Sequence, residues 1–370
     1  MIYLDHNATT PIAPEVRAAM ERWLGEEHGN PSSGHAYGRR AKDALEAARS
    51  QVAGTIGARP PEIVFVGSGT EANHLAILGV ADARGVGCAV SSAIEHPAVV
   101  SPLARLGARG WTIHRLPIHR DGRVDPRALD DGGPLDLVSV MLANNETGAI
   151  QPVAELARAA KARGAVVHTD AAQAVGKIPV DVDALGVDLL TVVGHKLYAP
   201  KGVGALYVRE GTELIAQLAG GGQERGLRAG TENVAFAVAL GAACELAARV
   251  LAAEARRQRG LVDRLFERLS SEVTGAARNV PSDLCLPNTL SVRLPGVDGA
   301  SLLAHAEGVA ASTGSACHDG DERPSSVLLA MGLSPAEARS TLRLSVGRGT
   351  TERDVDAAVL ALSAAWRRAR

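Results

Sequence analysis

The sequence contains few cysteines, and their spacing excludes two kinds of cysteine-dependent fold. Four occur in 370 residues, at Cys88, Cys244, Cys285 and Cys317. They are too few and too widely spaced for a disulfide framework, and no CxxC pair indicates a structural metal site. Reduced cysteines are typical of the cytoplasm, so we expect a cytoplasmic protein without a bound metal.

The sequence also lacks an excess of charge of one sign. Its 39 Lys and Arg residues nearly balance its 41 Asp and Glu residues, which gives a net charge of −2. The pI is about 6.6. The charges are mixed along the chain, so no charged interaction tail is expected. Nucleic-acid-binding domains usually carry a basic patch, and we therefore expect no nucleic-acid partner.

Long hydrophobic runs are absent as well. No uncharged apolar run reaches the roughly 18 residues needed to cross a bilayer. The most apolar stretch, residues 234–253, carries Glu245 and Arg249 and is predicted to be a buried helix. Residues 1–6 lack the basic and apolar regions of a secretory signal. These features predict a soluble protein that has no membrane partner.

The apolar residues that are present follow an alternating pattern. Strand-like runs alternate with helical segments between residues 15 and 210, which predicts an α/β fold with a mainly parallel sheet. The runs lie at residues 62–66, 135–142, 165–167 and 189–193, and helical segments begin at Glu71 and Val153. Ligands in such folds bind at the carboxyl ends of the strands, so the residues after each run are the candidates for function.

The pattern changes near residue 235, which predicts a second domain. Long Ala-, Leu- and Arg-rich helical segments cover about residues 234–273, and a further helix is predicted near residues 354–368. A length of 370 residues is also typical of roughly two domains. We predict a large cofactor-binding domain over residues 15–245. A smaller α+β domain is predicted over residues 246–370, together with residues 1–14.

Three strand ends carry residues that suit one cofactor. Gly69 and Thr70 stand where a strand meets a helix N-terminus, which can bind a phosphate. Alone, this segment is more typical of an ordinary turn. Asp170 follows the run at 165–167 and could pair with a protonated pyridine nitrogen, although it could equally cap a helix. Lys196 follows the run at 189–193, where desolvation would favour its neutral amine and Schiff-base chemistry. A lone lysine there would more often extend to solvent, but the three together predict a pyridoxal-phosphate site.

Cys317 differs from the other three cysteines in its surroundings. Cys88 lies in an apolar run and Cys244 within a helical segment, so both are interpreted as buried apolar residues. Cys285 is ambiguous, and a structural role is favoured. Cys317 stands in STGSACHDG, residues 312–320. These small, polar residues predict an accessible loop, which is the setting of a reactive thiol.

At this point the sequence resembles the cysteine desulfurases of the class-V aminotransferase group along nearly its whole length. The motifs that carry the resemblance are YLDHNATTP (3–11), HGNPSS (28–33), EHP (95–97), NNETG (144–148), GGGQER (220–225) and LSVGR (344–348). The segment 312–317 resembles that of the subgroup whose nucleophile lies on a long flexible loop. The resemblance implies a pyridoxal-phosphate-dependent transferase of fold type I.

The resemblance also implies a role for each matching residue. Lys196 would form the Schiff base and Asp170 would hold the pyridine nitrogen protonated. His96 would stack on the ring, while Asn145 and Gln173 would bind its hydroxyl oxygen. The phosphate would be held by Gly69, Thr70 and His195, and by Thr231 of a neighbouring subunit in a homodimer. Arg343 would bind the substrate carboxylate. Singly, His96 could be a turn histidine, Asn145 a helix cap and Arg343 a surface charge.

One position departs from the family pattern. Val193 stands where the desulfurases often have a phosphate-binding serine. The change removes one hydrogen bond, worth roughly 0.5–1.5 kcal/mol or more to a charged acceptor. The segments VGHK (193–196), MLANN (141–145) and CHD (317–319) are also similar to the selenocysteine lyases, which are the alternative.

The reaction implied by the resemblance converts L-cysteine to L-alanine. The Cys317 thiolate would take the substrate sulfur as a persulfide. It would then pass the sulfur to an acceptor, such as an iron–sulfur scaffold or a thiolation carrier. Selenocysteine lyase activity stays open, with L-selenocysteine as substrate. So do a non-catalytic sulfur-transfer scaffold, a plain aminotransferase and a carbon–sulfur lyase without a persulfide, because fold alone does not fix the reaction.

Overall fold

The computed structural model describes residues 1–129, 132–313 and 323–369. Twelve strands are found in this part of the chain: β1 (Ile2–Tyr3), β2 (Ile63–Val66), β3 (Cys88–Ser92), β4 (Thr112–Leu116), β5 (Leu137–Ser139), β6 (Val166–Asp170), β7 (Leu189–Val193), β8 (Gly204–Val208), β9 (Ala277–Arg278), β10 (Thr289–Arg293), β11 (Val309–Ala310) and β12 (Thr341–Ser345). The α-helices of the same residues are α1 (Pro14–Glu21), α2 (Ala36–Thr55), α3 (Gly69–Arg84), α4 (Pro97–Ala108), α5 (Val153–Lys161), α6 (Val182–Leu185), α7 (Val234–Glu272), α8 (Gly299–His305), α9 (Ser326–Ala330), α10 (Pro335–Arg339) and α11 (Glu352–Ala369).

The large sheet has seven strands in the order β2-β8-β7-β6-β5-β3-β4. The strands from β4 to β7 pair in parallel, and β8 pairs antiparallel with both β7 and β2. Six strands therefore point the same way, and their carboxyl ends meet at one edge. The predicted α/β class with a mainly parallel sheet is confirmed.

Helices cover both faces of this sheet because each strand places apolar side chains on both faces. On one face, α3 and α4 pack on residues such as Leu137 and Leu189. On the other face, α2, α5 and the first half of α7 pack on Val138, Val167 and Leu190. The α3 face is the one that matters for the site, because it becomes polar toward the strand ends.

The C-terminal part of the chain builds a second core around a small antiparallel sheet, in the order β12-β10-β9. Helix α11 and the second half of α7 supply much of this core. The chain start joins the same region, since β1 pairs with β11 and Asp5 bridges to Ser345. The predicted division at residues 245 and 246 falls inside the continuous helix α7, and it stays a prediction.

Helix α7 has the length and apolar composition of a membrane span. Among the described residues it is the one helix that meets both criteria, and half of its most apolar window is buried inside the protein. Buried core helices of soluble proteins meet the same criteria, so this is weak evidence for a span.

The predicted element bounds agree with the structure most closely where apolar runs end at a glycine or a charge. Strand β7 has the predicted limits, and helix α5 begins at the predicted residue, Val153. Strand β5 is shorter than the apolar run at 135–142, whereas β6 extends through His168 to Asp170. Hydrogen bonding to neighbouring strands sets these limits, and apolar content alone does not reveal it.

Candidate active site

Lys196 lies at the carboxyl edge of the large sheet, in a short 3₁₀ turn that follows β7. Its Nζ donates to the main-chain oxygens of Asn7 and Ala8, both at 2.7 Å. Burial, together with the charge of Arg343, lowers the pKa of Lys196 to about 8 against the opposing effects of Asp170 and Asp5. The amine is therefore neutral far more often at physiological pH than that of an exposed lysine.

Asp170 is the last residue of β6 and pairs in register with Thr191 of β7. Its side chain is buried, with 7% exposed. Oδ1 accepts from the main-chain N–H of Ala172 at 2.9 Å, and Oδ2 accepts from Nδ2 of Asn73 at 2.7 Å. A buried carboxylate with two donors can still accept a third hydrogen bond.

The segment before α3 is built as an anion site would be. Ser68 caps the helix by accepting from the N–H of Glu71 at 3.1 Å. The N–H groups of Gly69 and Thr70 lie at the same terminus, where main-chain donors have no partner within the helix. A Cβ on Gly69 would lie 2.4 Å from Cγ2 of Val193, so the helix start approaches the end of β7 closely.

His96 and His195 approach the same edge from different elements. His96 caps α4, since its Nδ1 accepts from the N–H of Ala98 at 3.1 Å. Burial lowers the pKa of His96; Asp170 opposes this shift, and the charge of Lys196 adds to it. Nδ1 of His195 lies 3.1 Å from Oγ1 of Thr9, and burial, with a contribution from Lys196, lowers the pKa of His195 to about 4. Both rings are neutral at physiological pH.

Gln173 is held by a second buried lysine. Its Oε1 accepts from Nζ of Lys177 at 2.6 Å, and its Nε2 donates to the main-chain oxygen of Asn7 at 3.0 Å. Burial lowers the pKa of Lys177 well below its ordinary value, and Lys196 and Arg343 add to this effect. Gln173 therefore lies within the same group of contacts as Lys196.

Arg343 approaches from β12 of the small sheet and is buried, with 6% exposed. It donates from Nη1 to the main-chain oxygen of Asn145 at 3.0 Å and from Nη2 to Oδ1 of Asp5 at 2.7 Å. Both the small sheet and the chain start thus contribute to the edge where Lys196 lies. The interpretation of Arg343 as a surface charge is wrong.

One of the predicted site residues that the structure describes is not brought to this edge. Thr231 lies on an exposed segment before α7. Cys317 lies outside the described residues. Of the other cysteines, Cys244 is buried as expected, and Cys285, which was ambiguous in the sequence, is buried as well; burial raises the pKa of each to about 12. Cys88 is only half-buried at the start of β3, so the prediction of full burial was wrong there.

The groups at the site that were missed in the sequence include Asn73, Asp5, Asn7 and Lys177. Asn73 could have been found, because it stands three residues after Thr70 and such residues share a helix face. Asp5 and Asn7 carry no such signal. Their contacts with Arg343 and Lys196 join residues about 340 and 190 positions apart in the chain, respectively. They depend on tertiary structure that local patterns do not reveal.

Comparison with known proteins gives consistent matches. Residues 2–358 match the model of the family described as Aminotransferase class-V. The cysteine desulfurase IscS of Dictyoglomus turgidum is 44% identical over 361 residues, which cover 96% of this chain and 92% of that protein. A solved structure described as a NIFS-like protein is 34% identical with a TM-score of 0.92, over 98% of each chain. The structure "SspA in complex with cysteine" is 34% identical with a TM-score of 0.83, over 94% of this chain and 99% of that one.

Proposed function

The chain belongs to the class-V aminotransferase family, and from this premise we propose that it is a pyridoxal-phosphate-dependent cysteine desulfurase. It converts L-cysteine to L-alanine and collects the sulfur on Cys317. The observation that carries the proposal is the placement of a partly buried amine, Lys196, beside a buried carboxylate, Asp170, at the ends of adjacent parallel strands. The relative from Dictyoglomus turgidum, which is named a cysteine desulfurase, supports the same reaction.

The residues at the strand ends fit the cofactor. An aldehyde needs a neutral amine, and the pKa of Lys196, lowered to about 8 by burial, provides one. A protonated pyridine nitrogen needs a buried acceptor, which Asp170 supplies. A phosphate needs main-chain donors at a helix start, which Gly69 and Thr70 supply next to the closely packed Val193. His195 adds a further donor for the phosphate.

The remaining ring contacts would come from the neutral side chains around Lys196. His96 would lie on one face of the ring, and Asn145 and Gln173 would bind its hydroxyl oxygen. The exposed position of Thr231 suits a contact with a neighbouring subunit, as in the proposed homodimer. These assignments are proposals that rest on the matching motifs.

We expect Val193→Ser to bind the cofactor about two- to tenfold more tightly. The serine hydroxyl would add one donor beside the N-terminus of α3, and such a bond is worth roughly 0.5–1.5 kcal/mol. Titration of the cofactor-free enzyme with pyridoxal phosphate, followed by absorbance, measures the change. Val193→Ala is the control, because it removes the methyl groups without adding a hydroxyl. Equal gains in both variants would contradict a hydrogen-bond effect.

The chemistry divides between the cofactor and the chain. When bound, the cofactor would supply a protonated ring that stabilises the electron pair left by loss of the substrate Cα proton. Lys196 Nζ would remove that proton from the bound substrate. Arg343 orients the substrate through its carboxylate. The Cys317 thiolate then attacks the substrate sulfur: an S–S bond forms, and the Cβ–S bond breaks with its electron pair left on Cβ. Alanine forms when Cβ takes a proton and Cα regains the proton that Lys196 removed.

We expect Arg343→Lys to raise the KM for L-cysteine by roughly ten- to a hundredfold, with kcat changed only a few-fold. A lysine keeps the charge but cannot make two parallel hydrogen bonds to a carboxylate, and each charged bond is worth about 1.5–3 kcal/mol. Steady-state kinetics measure the split between the two constants. Arg293→Lys, on the neighbouring strand β10, serves as the matched control. A normal KM in Arg343→Lys would remove Arg343 from the substrate site.

The sulfur on Cys317 is proposed to pass to an acceptor protein, such as an iron–sulfur scaffold or a thiolation carrier. The relatives described above support sulfur transfer from cysteine, and they do not favour selenocysteine lyase, the alternative that the sequence left open. A cytoplasmic location is also proposed, from the reduced cysteines of the sequence.

Turnover of L-cysteine and L-selenocysteine by the purified holoenzyme tests the proposal. Alanine and sulfide are scored for the first substrate, and alanine and selenide for the second, with a thiol present to release bound sulfur. We expect alanine from L-cysteine, with a persulfide on Cys317 detected by mass spectrometry. Alanine formed from L-selenocysteine alone would replace desulfurase with selenocysteine lyase.

A further inference from the structure

Four buried polar side chains form a continuous hydrogen-bonded chain that ends at the carboxylate of Asp170. Oγ of Ser139 lies 2.8 Å from Nδ1 of His168, and Nε2 of His168 lies 3.1 Å from Oγ1 of Thr191. The Thr191 hydroxyl donates to Oδ1 of Asn73 at 2.7 Å, and Nδ2 of Asn73 donates to Oδ2 of Asp170 at 2.7 Å. This series of hydrogen bonds therefore joins three strands and one helix before it reaches the candidate active site.

The fold brings these side chains together on the α3 face of the sheet. Ser139 pairs in register with His168, and Asp170 pairs with Thr191, while Asn73 comes from the helix that covers this face. The four side chains that lead to Asp170 are each no more than 1% exposed: Ser139, His168, Thr191 and Asn73. Buried polar groups destabilise a fold unless each one finds a partner, and in this set every member does.

The carboxylate of Asp170, at one end of this series of hydrogen bonds, determines the direction of every bond in it. The carboxylate accepts, so Asn73 must present its amide N–H to Asp170 and its oxygen to Thr191. The Thr191 hydroxyl then donates to Asn73 and can only accept from His168, which places the imidazole proton on Nε2. A neutral imidazole has its lone pair on the other nitrogen, so Nδ1 accepts from Ser139. All four donors therefore point toward Asp170.

We propose that Ser139, His168, Thr191 and Asn73 form a donor relay that keeps Asp170 an acceptor and thereby holds a proton on the ring nitrogen of the bound cofactor. Donors stabilise negative charge on a carboxylate, and bonds aligned in one direction polarise one another. The four are positioning residues that act through Asp170. The inference rests on the proposed function for the identity of the ring.

The charge states of the groups around the relay are consistent with hydrogen bonds that donate toward Asp170. Burial lowers the pKa of His168 to about 4, against an opposing effect of Asp170, so the imidazole is neutral at physiological pH. The other titratable groups coupled electrostatically to Asp170 are Glu95, His96 and Lys196. Burial raises the pKa of Glu95 to about 8, which keeps a second negative charge away from Asp170 in neutral solution.

Thr191→Val tests the relay, because valine has the shape of threonine without its hydroxyl. Holoenzyme is prepared with pyridoxal phosphate labelled with ¹⁵N in the ring, and the ring signal is recorded by NMR. We expect the wild type and Thr191→Ser to show a protonated ring nitrogen and Thr191→Val to shift toward the unprotonated signal. The kcat for L-cysteine should fall roughly tenfold in Thr191→Val, with KM within about twofold and recovery in Thr191→Ser. An unshifted ring signal in Thr191→Val would overturn the relay.

A second measurement does not depend on any variant. In wild-type protein labelled with ¹⁵N-histidine, the signals of His168 should show the proton on Nε2 between about pH 6 and 8. A proton on Nδ1 would reverse the chain and overturn the proposal. Failure of the proposed function would look different: the wild type would form no alanine from L-cysteine or would bind no labelled cofactor, whatever the state of His168.

Discussion

Lys196→Ala is expected to reduce alanine formation from L-cysteine to below about a ten-thousandth of the wild-type rate. The variant loses both the amine that holds the cofactor aldehyde and the base that removes the Cα proton, and residues that combine such roles give losses of this order. At pH 7 roughly a tenth of the Lys196 side chains are neutral, given a pKa of about 8. An ordinary lysine has less than about one part in a thousand in that form.

Absorbance and covalent labelling check this expectation without turnover. The holoenzyme should show an absorbance band at about 400 nm, as protonated imines of pyridoxal do, and this band should be absent in Lys196→Ala. Borohydride reduction followed by peptide mapping should place the cofactor on Lys196. Lys201→Ala, at an exposed position nearby, is the matched control and should keep both the band and the label.

Lys177 makes the labelling experiment decisive. It is a second buried amine beside the site, and burial also lowers its pKa well below the ordinary value. However, its Nζ donates to Oε1 of Gln173 at 2.6 Å, whereas Nζ of Lys196 donates to the main-chain oxygens of Asn7 and Ala8. A cofactor label on Lys177 would move the active site to a different strand end and contradict the interpretation of Lys196.

The central residues of the site could be predicted because they lie where ligands usually bind in this class of fold. Parallel strands expose their carboxyl ends at one edge, so Asp170 and Lys196 were found simply as polar residues after apolar runs. Strand β7 contains a further signal of the same kind, since Thr191 is a polar residue within the buried run LLTVV. Side chains two apart on a strand share a face, which also relates His168 to Asp170.

The remaining contacts could not be predicted because they depend on how distant segments meet. Arg343 is placed by the small antiparallel sheet, and Asp5 reaches it through a bridge between the chain start and β12. The main-chain oxygen of Asn7 accepts hydrogen bonds from Lys196 and Gln173, so the identity of its side chain carries no information about those bonds. No periodicity within the first ten residues indicates such a position.

Cys317→Ala is expected to reduce alanine formation from L-cysteine to below about a thousandth of the wild-type rate, because no thiol among the residues that the structure describes can replace the nucleophile. Cys244 and Cys285 are buried with a pKa raised to about 12 each, so neither forms an accessible thiolate. Cys88 lies at the start of β3, the amino end of its strand, and burial raises its pKa as well. The carboxyl edge of the sheet, where Lys196 lies, is the opposite edge.

The two substrates separate a lost nucleophile from a damaged site. The carbon–selenium bond breaks more readily than the carbon–sulfur bond. In Cys317→Ala the thiol of the assay should therefore still attack the substrate selenium, with the electron pair left on Cβ, so that measurable alanine forms from L-selenocysteine while it is lost from L-cysteine. Its cofactor absorbance should be unchanged, because Lys196 and Asp170 are untouched. Cys88→Ala is the control and should match the wild type with both substrates. Normal turnover of L-cysteine in Cys317→Ala would show that the sulfur leaves without a persulfide on this residue, as in a simple carbon–sulfur lyase.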